Sequence, residues 1–101
     1  MHEGRSGVRP VNARQAQERA ASEMRRLKDA NRDPVDILLA GLQALDDELT
    51  PFSFVVALYT AFHVPVRVLH DVADWYRLSD HGQMSDEAVA VILEPWLRPG
   101  S

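Results

Sequence analysis

Hydrophobic residues recur along this chain at intervals of three and four positions, which is the period of an amphipathic α-helix. Strict alternation of apolar and polar residues, which marks a half-buried β-strand, is missing from the sequence, as is an Asn-Gly hairpin turn. Capping residues and prolines divide the periodic pattern into short segments. The chain is therefore predicted to be an all-α protein built from several short helices.

Three helix starts are marked by residues that suit the first turn. Asp33 and Thr50 each stand directly before a proline, which is tolerated at the first helical position because no N–H is needed there. Ser85 precedes two acids that favour the positive end of the helix dipole. The predicted helices span 34–48, 51–62, 65–78 and 86–94, with Trp96 and Leu97 following a break at Pro95.

The segment 51–62 is apolar on nearly every side, a pattern typical of a helix at the centre of a bundle. The neighbouring segments each show an apolar face that could pack around it. This arrangement predicts a small orthogonal four-helix bundle over about residues 34–97. Its predicted core consists of Leu38, Leu42, Phe52, Val55, Tyr59, Phe62, Leu69, Val72, Trp75 and Trp96, and Tyr76 is also expected to face inward.

A charged N-terminal arm precedes the bundle over residues 12–33, and 12–31 is predicted to be an amphipathic helix. Its apolar face is thin because alanine contributes much of it, so burying that face stabilises little. Such a face suits a helix that binds a partner protein or a second copy of the chain. The expected contact residues are Ala16, Ala20, Met24 and Leu27, flanked by Arg25 and Arg26. Residues 1–11 are predicted to be a disordered tail, and residues 98–101 a second tail.

The composition narrows the class of protein. Hydrophobic residues make up 46% and charged residues 26% of the 101 residues, as in a typical globular domain. The absence of cysteine excludes a disulfide scaffold, a thiol nucleophile and a thiolate zinc site. No apolar stretch approaches the ~20 residues of a membrane span, and no secretory signal is visible. Ten arginines against one lysine are typical of a GC-rich genome, so a bacterial cytoplasmic protein without membrane contact is expected.

The net charge of −4 conceals an uneven distribution. Residues 1–34 carry eight Arg and Lys side chains against five acids, whereas residues 35–101 carry three against ten. A basic arm on an acidic body favours an anionic partner for the arm, or the acidic face of another copy in a homo-oligomer. The acidic body is expected to repel nucleic acid.

Candidate chemistry is sparse. His70 and Asp74 stand one helical turn apart, as two metal ligands on one helix face would, but a metal site needs three or four ligands. Arg67 with Asp71, and His70 with Asp74, are better explained as exposed pairs on a body surface. No Gly-x-Ser-x-Gly elbow or phosphate-binding glycine loop is present. The sequence therefore predicts a protein that is not an enzyme and uses no metal, cofactor or small-molecule substrate.

Residues 57–69 resemble a helix-turn-helix motif, with a short apolar helix, a tight break, a valine in the turn and a second helix. The resemblance implies a DNA-associated regulatory protein whose basic arm contacts phosphates. The second helix, however, exposes both Arg67 and Asp71 and is close to neutral, whereas a helix in the major groove should be basic.

Two functions from different classes remain. The first is a non-enzymatic protein-interaction or adaptor module whose arm helix binds a partner protein or a second copy. The alternative is the DNA-associated regulator. An inhibitor or immunity-type protein that caps a basic enzyme fits the acidic body equally well, but no motif supports it.

Overall fold

The structure, a computed structural model, describes residues 3–98, and the side chains of residues 13–98. The described residues form five α-helices: α1 (Glu3–Asp29), α2 (Pro34–Leu45), α3 (Pro51–Phe62), α4 (Val66–Val72) and α5 (Asp86–Leu97). A 3-10 turn over Asp46–Glu48 follows α2. The predicted all-α class is confirmed. None of these helices is long and apolar enough to cross a membrane.

The helix starts lie where the capping residues predict them. Thr50 and Ser53 form a capping box before α3, in which Ser53 N–H donates to Thr50 Oγ1 at 2.9 Å and Thr50 N–H donates to Ser53 Oγ at 2.8 Å. Ser85 Oγ accepts a hydrogen bond from Ala88 N–H at 3.0 Å before α5. Asp33 precedes Pro34 at the start of α2 without a side-chain capping bond. Local chemistry thus sets three of the junctions.

Helix α1 begins at Glu3, earlier than predicted, so residues 3–11 are helical where a disordered tail was expected. Extending an existing helix adds one hydrogen bond for each residue fixed, which is less costly than nucleating a new one. The packed part of α1 therefore provides a template for the residues before it. Residues 1 and 2 of that tail and residues 99–101 of the C-terminal tail lie outside the described residues.

Helix α1 belongs to the hydrophobic core. Ala16, Ala20 and Met24 are each at most 1% exposed and lie against α2 and α3. The Met24 side chain packs directly over Gly41 of α2, where an added Cβ would lie 2.6 Å from Met24 Sδ. The predicted division into a separate arm and a four-helix bundle over 34–97 is not confirmed, because α1 shares one core with α2 and α3.

Helix α3 buries only one of its apolar sides. Phe54 and Leu58 are fully buried, whereas Phe52 is 72% exposed and Tyr59 51% exposed. The prediction that Phe52 and Tyr59 lie in the core is therefore wrong. These side chains stay exposed because α1 and α2 pack on one side of α3, and the seven-residue α4 is too short to cover the opposite side.

Helix α4 ends at Val72 because the chain then turns sharply, although helix was predicted to continue to residue 78. Tyr76 N–H donates to Met84 O and Met84 N–H to Asp74 O, both at 2.9 Å, so the segment after α4 pairs with the segment before α5. This turn leaves Tyr76 47% exposed and buries Trp75 completely, so the inward prediction for Tyr76 is wrong.

Helix α5 continues through Pro95 to Leu97, where a break was predicted. Proline removes one backbone hydrogen bond from a helix interior. Here it stands in the last turn, and the full burial of Leu93 and Leu97 on either side of it offsets that loss.

Candidate interaction surface

An open groove of about 510 Å³ lies between α3 and α4. We refer to it as the groove. Nine residues line it: Pro51, Phe52, Val55, Val56, Tyr59, Val66, Leu69, His70 and Ala73. Of these, only Tyr59 and His70 have a polar group in the side chain. The groove is therefore a continuous apolar surface bounded by two helices.

Several side chains of the groove are strongly exposed to solvent. Phe52 is 72%, Tyr59 51% and Val66 75% exposed. Single exposed apolar residues are ordinary on a protein surface, but a contiguous patch on a monomer commonly marks a binding site. The Tyr59 ring makes an edge-on contact with His63, with centroids 5.5 Å apart, which holds the ring at one end of α3.

Two aspartates flank the groove. A second depression shares His70 and Ala73 with the groove and is also lined by Asp71 and Asp74. We refer to Asp71 and Asp74 as the acidic shoulder. The ion pairs found among residues 13–98 include neither aspartate, so the pairs predicted within the stripe from Arg67 to Asp74 are not formed. Both carboxylates of the shoulder are thus exposed and not engaged in an ion pair within that range.

The predicted body surface consists of exposed residues: Arg67, His70, Asp71 and Asp74. His70 and Asp74 line the same depression, as their spacing in the sequence implies. Within the described part of the chain, however, no group of three or more His, Asp or Glu side chains is placed to hold a metal ion. The stripe is therefore a rim of the groove with mixed charge.

The predicted contact face of the arm is occupied by the chain's own core. Ala16, Ala20 and Met24 are buried against α2 and α3, and Leu27 is half-buried against the same cluster. In this arrangement these side chains are not available to a partner. Burial of the thin alanine face was expected to stabilise little, yet the structure buries it, and Met24 packs over Gly41 of α2.

The flanking arginines also contact their own chain. Arg25 Nη1 donates to Thr60 O at 3.1 Å, near the C-terminal end of α3. Arg26 forms an ion pair with Glu23, and this hydrogen bond holds the pKa of the Glu23 carboxyl below its ordinary value. Arg19 Nη2 donates to Ala44 O at 3.2 Å. Arg19 and Arg25 therefore help to attach α1 to α2 and α3, whereas the Arg26 pair lies within α1.

A hydrogen-bonded cluster joins the turn after α4 to α5. Trp75 Nε1 donates to Asp86 Oδ1 at 2.9 Å, and Arg77 donates to the same carboxylate through Nε at 2.7 Å and Nη2 at 2.9 Å. The Arg77 bonds, with a contribution from Trp75, lower the pKa of Asp86. Because every partner is already satisfied, this cluster is structural.

Sequence reasoning missed the groove residues Phe52, Tyr59 and Val66. The signal that could have identified them was the apolar character of 51–62 on all sides, because that segment carries more apolar surface than its short neighbours can cover. Val66 stands beside Pro65 at the start of α4 and outside the predicted inward set.

Comparison of the chain with protein-family models, with curated proteins and with solved structures finds no match.

Proposed function

We propose that this chain is a non-enzymatic protein-interaction module that binds its partner in the groove between α3 and α4. The observation that carries the proposal is the exposure of Phe52, Tyr59 and Val66 in one continuous apolar surface. Covering such a surface removes apolar area from water, which favours association by roughly 25 cal/mol per Å² before the costs of ordering.

The groove replaces the arm as the proposed contact surface. Using the α1 face would require pulling Met24 out of the core, with the loss of its packing against α2. Using the groove requires no such rearrangement, since Phe52, Tyr59 and Val66 already face solvent. Preformed surfaces lose less free energy to ordering on binding.

The composition of the lining supports binding over catalysis. General acid–base chemistry needs titratable groups with separated pKa values facing one another in a cleft. The groove offers His70 and Tyr59 among aliphatic and aromatic neighbours. Such a lining suits the burial of another chain's apolar side chains.

No specific observation favours the DNA-associated alternative. The second helix of the motif, α4, has seven residues and exposes Arg67 beside Asp71. Arg19, Arg25 and Arg26 of α1 already contact carbonyl or carboxylate oxygens of the same chain. Binding to phosphates would have to compete with these contacts.

Site-specific photocrosslinking tests the proposal. The photoreactive residue p-benzoylphenylalanine replaces Phe52 in the groove or, as the matched control, Val91 on α5, which is 69% exposed and lies outside the groove. In an extract of the source cells, discrete protein adducts are expected at position 52 and not at position 91. The substitution Val66→Asp should remove them. The same adducts at both positions, or adducts sensitive to nuclease, would overturn the proposal.

A further inference from the structure

The occupant of the groove can be specified from its walls. Both walls are helices, α3 and α4, and residues 3–98 contain no β-strand whose edge could pair with a partner strand. A groove between two helices accepts a third helix, whose side-chain ridges fit between those of its neighbours. Helix α3 has 12 residues, which corresponds to about 18 Å at 1.5 Å per residue. A partner helix would therefore present apolar residues over about three turns, at positions i, i+3 or i+4, and i+7.

The charge of the occupant follows from the acidic shoulder. Asp71 and Asp74 adjoin the groove at His70 and Ala73 and form no ion pair with any residue from 13 to 98. A partner with carboxylates above the shoulder would place like charges together, whereas Lys or Arg there would be attracted. Electrostatic complementarity of this kind selects partners and speeds their association.

A second copy of this chain fits the groove poorly. A symmetric dimer would bring the same patch of both copies together, including both acidic shoulders. Each copy has a net charge of −4, so their approach is opposed by repulsion. The basic helix of a second copy, α1, has its apolar face buried against its own α2.

We propose that the groove binds an amphipathic helix of a partner protein that carries basic side chains over Asp71 and Asp74. This inference depends on the proposed function, since it names the class of partner for the same groove. It predicts a preference for a cationic over an anionic helix, a preference that the groove's apolar residues alone would not produce.

Fluorescence anisotropy with two labelled probe peptides tests the preference. Both probes are helical peptides of about 16 residues, longer than three turns, with leucine at i, i+3, i+4 and i+7. One carries lysine and the other glutamate at the flanking positions. At low salt we expect the lysine probe to bind about tenfold more tightly, as two exposed ion pairs allow. The difference should shrink at about 0.5 M salt, because charges are screened there.

Four variants of the full chain assign any binding to its source. Val66→Asp in the groove should abolish binding of both probes, and Val91→Asp, the same change at similar exposure on α5, should leave it intact. Asp71→Asn combined with Asp74→Asn should reduce the lysine preference to less than about twofold. Asp80→Asn combined with Glu87→Gln removes two exposed acids outside the groove lining, and this control should leave the lysine preference unchanged.

The outcomes separate this inference from the proposed function. Equal binding of the two probes, or a preference that survives the Asp71 and Asp74 substitutions, would overturn the inference while leaving the groove as a binding site. If neither probe bound, the inference would also be overturned. Crosslinking at position 52 would then still test whether the groove binds a protein partner. Self-association of the wild-type chain in analytical ultracentrifugation that Val66→Asp abolishes would overturn the inference in favour of a second copy.

Discussion

Trp75 Nε1 donates a hydrogen bond to Asp86 Oδ1 at 2.9 Å, and this bond joins a fully buried indole to the first turn of α5. Arg77 donates to both oxygens of the same carboxylate. A buried donor without a partner would be costly. Asp86 thus fixes the position of α5 against the turn that contains Asp74 of the acidic shoulder.

Replacing Asp86 should destabilise the whole fold. Asp86→Ala leaves the buried indole N–H of Trp75 without an acceptor, a loss of about 1–3 kcal/mol. Urea denaturation followed by tryptophan fluorescence measures the free energy of unfolding. Glu87→Ala removes the neighbouring acid of the same first turn and should cost much less. Equal losses for the two variants would contradict a specific role for the Trp75–Asp86 bond.

The contribution of Asp86 should disappear in acid. The Arg77 hydrogen bonds lower the pKa of the folded Asp86 below its ordinary value. Its ionised form therefore stabilises the fold at pH values above the unfolded value of about 3.9, and the contribution is lost as the pH falls through the folded pKa. The difference in unfolding free energy between wild type and Asp86→Asn should be constant from about pH 7 to 5 and narrow below about pH 4. A difference that is unchanged in acid would contradict this account.

Truncating Met24 should weaken the complete core and not only the N-terminal helix. Met24 is fully buried, so Met24→Ala should cost about 2–5 kcal/mol through lost contacts and a cavity. Thermal unfolding monitored by far-UV circular dichroism and by tryptophan fluorescence should shift together, because the tryptophans lie in other elements. Ser22→Ala, at an exposed position of α1, is the control. If Met24→Ala left the fluorescence transition unchanged, α1 would be an independent arm after all.

Glycine at position 46 should stabilise the chain. Asp46 caps α2 with φ 48° and ψ −120°, a conformation that L side chains rarely adopt. Asp46→Gly should relieve about 1–3 kcal/mol of backbone strain and cost about 0.5–1 kcal/mol in conformational entropy. The free energy of unfolding should therefore increase by about 1 kcal/mol. The urea midpoint should therefore rise. Asp47→Gly, one residue later and without a positive φ, should lower it.

The helical framework could be predicted because its signals are local. Thr50 and Ser53 lie three residues apart in sequence, and their capping box needs no information from the rest of the molecule. The starts of α2 and α5 also depend on neighbouring residues, namely Pro34 at the first position of α2 and the Ser85 cap of α5. Helix ends were less predictable: α4 ends at Val72 because of pairing between the segments around Trp75 and Met84, which is set by the tertiary fold.

The groove could not be predicted from periodicity. An apolar period shows which residues could be buried, but burial depends on how many neighbouring helices are present to cover them. Phe52 and Phe54 are equally apolar and two residues apart, yet one is 72% exposed and the other fully buried. The hydrogen bond between Trp75 and Asp86 could not be predicted either, because the two residues meet only after the chain has turned back.

An uncovered groove also sets a limit on solubility. Apolar patches of neighbouring molecules attract one another at short range, and the net charge of −4 at pH 7 opposes their approach. As acidification neutralises that charge, the repulsion vanishes while the apolar attraction remains. Concentrated solutions of the chain without its partner should therefore become turbid as the isoelectric point is approached, and Val66→Asp should delay the onset.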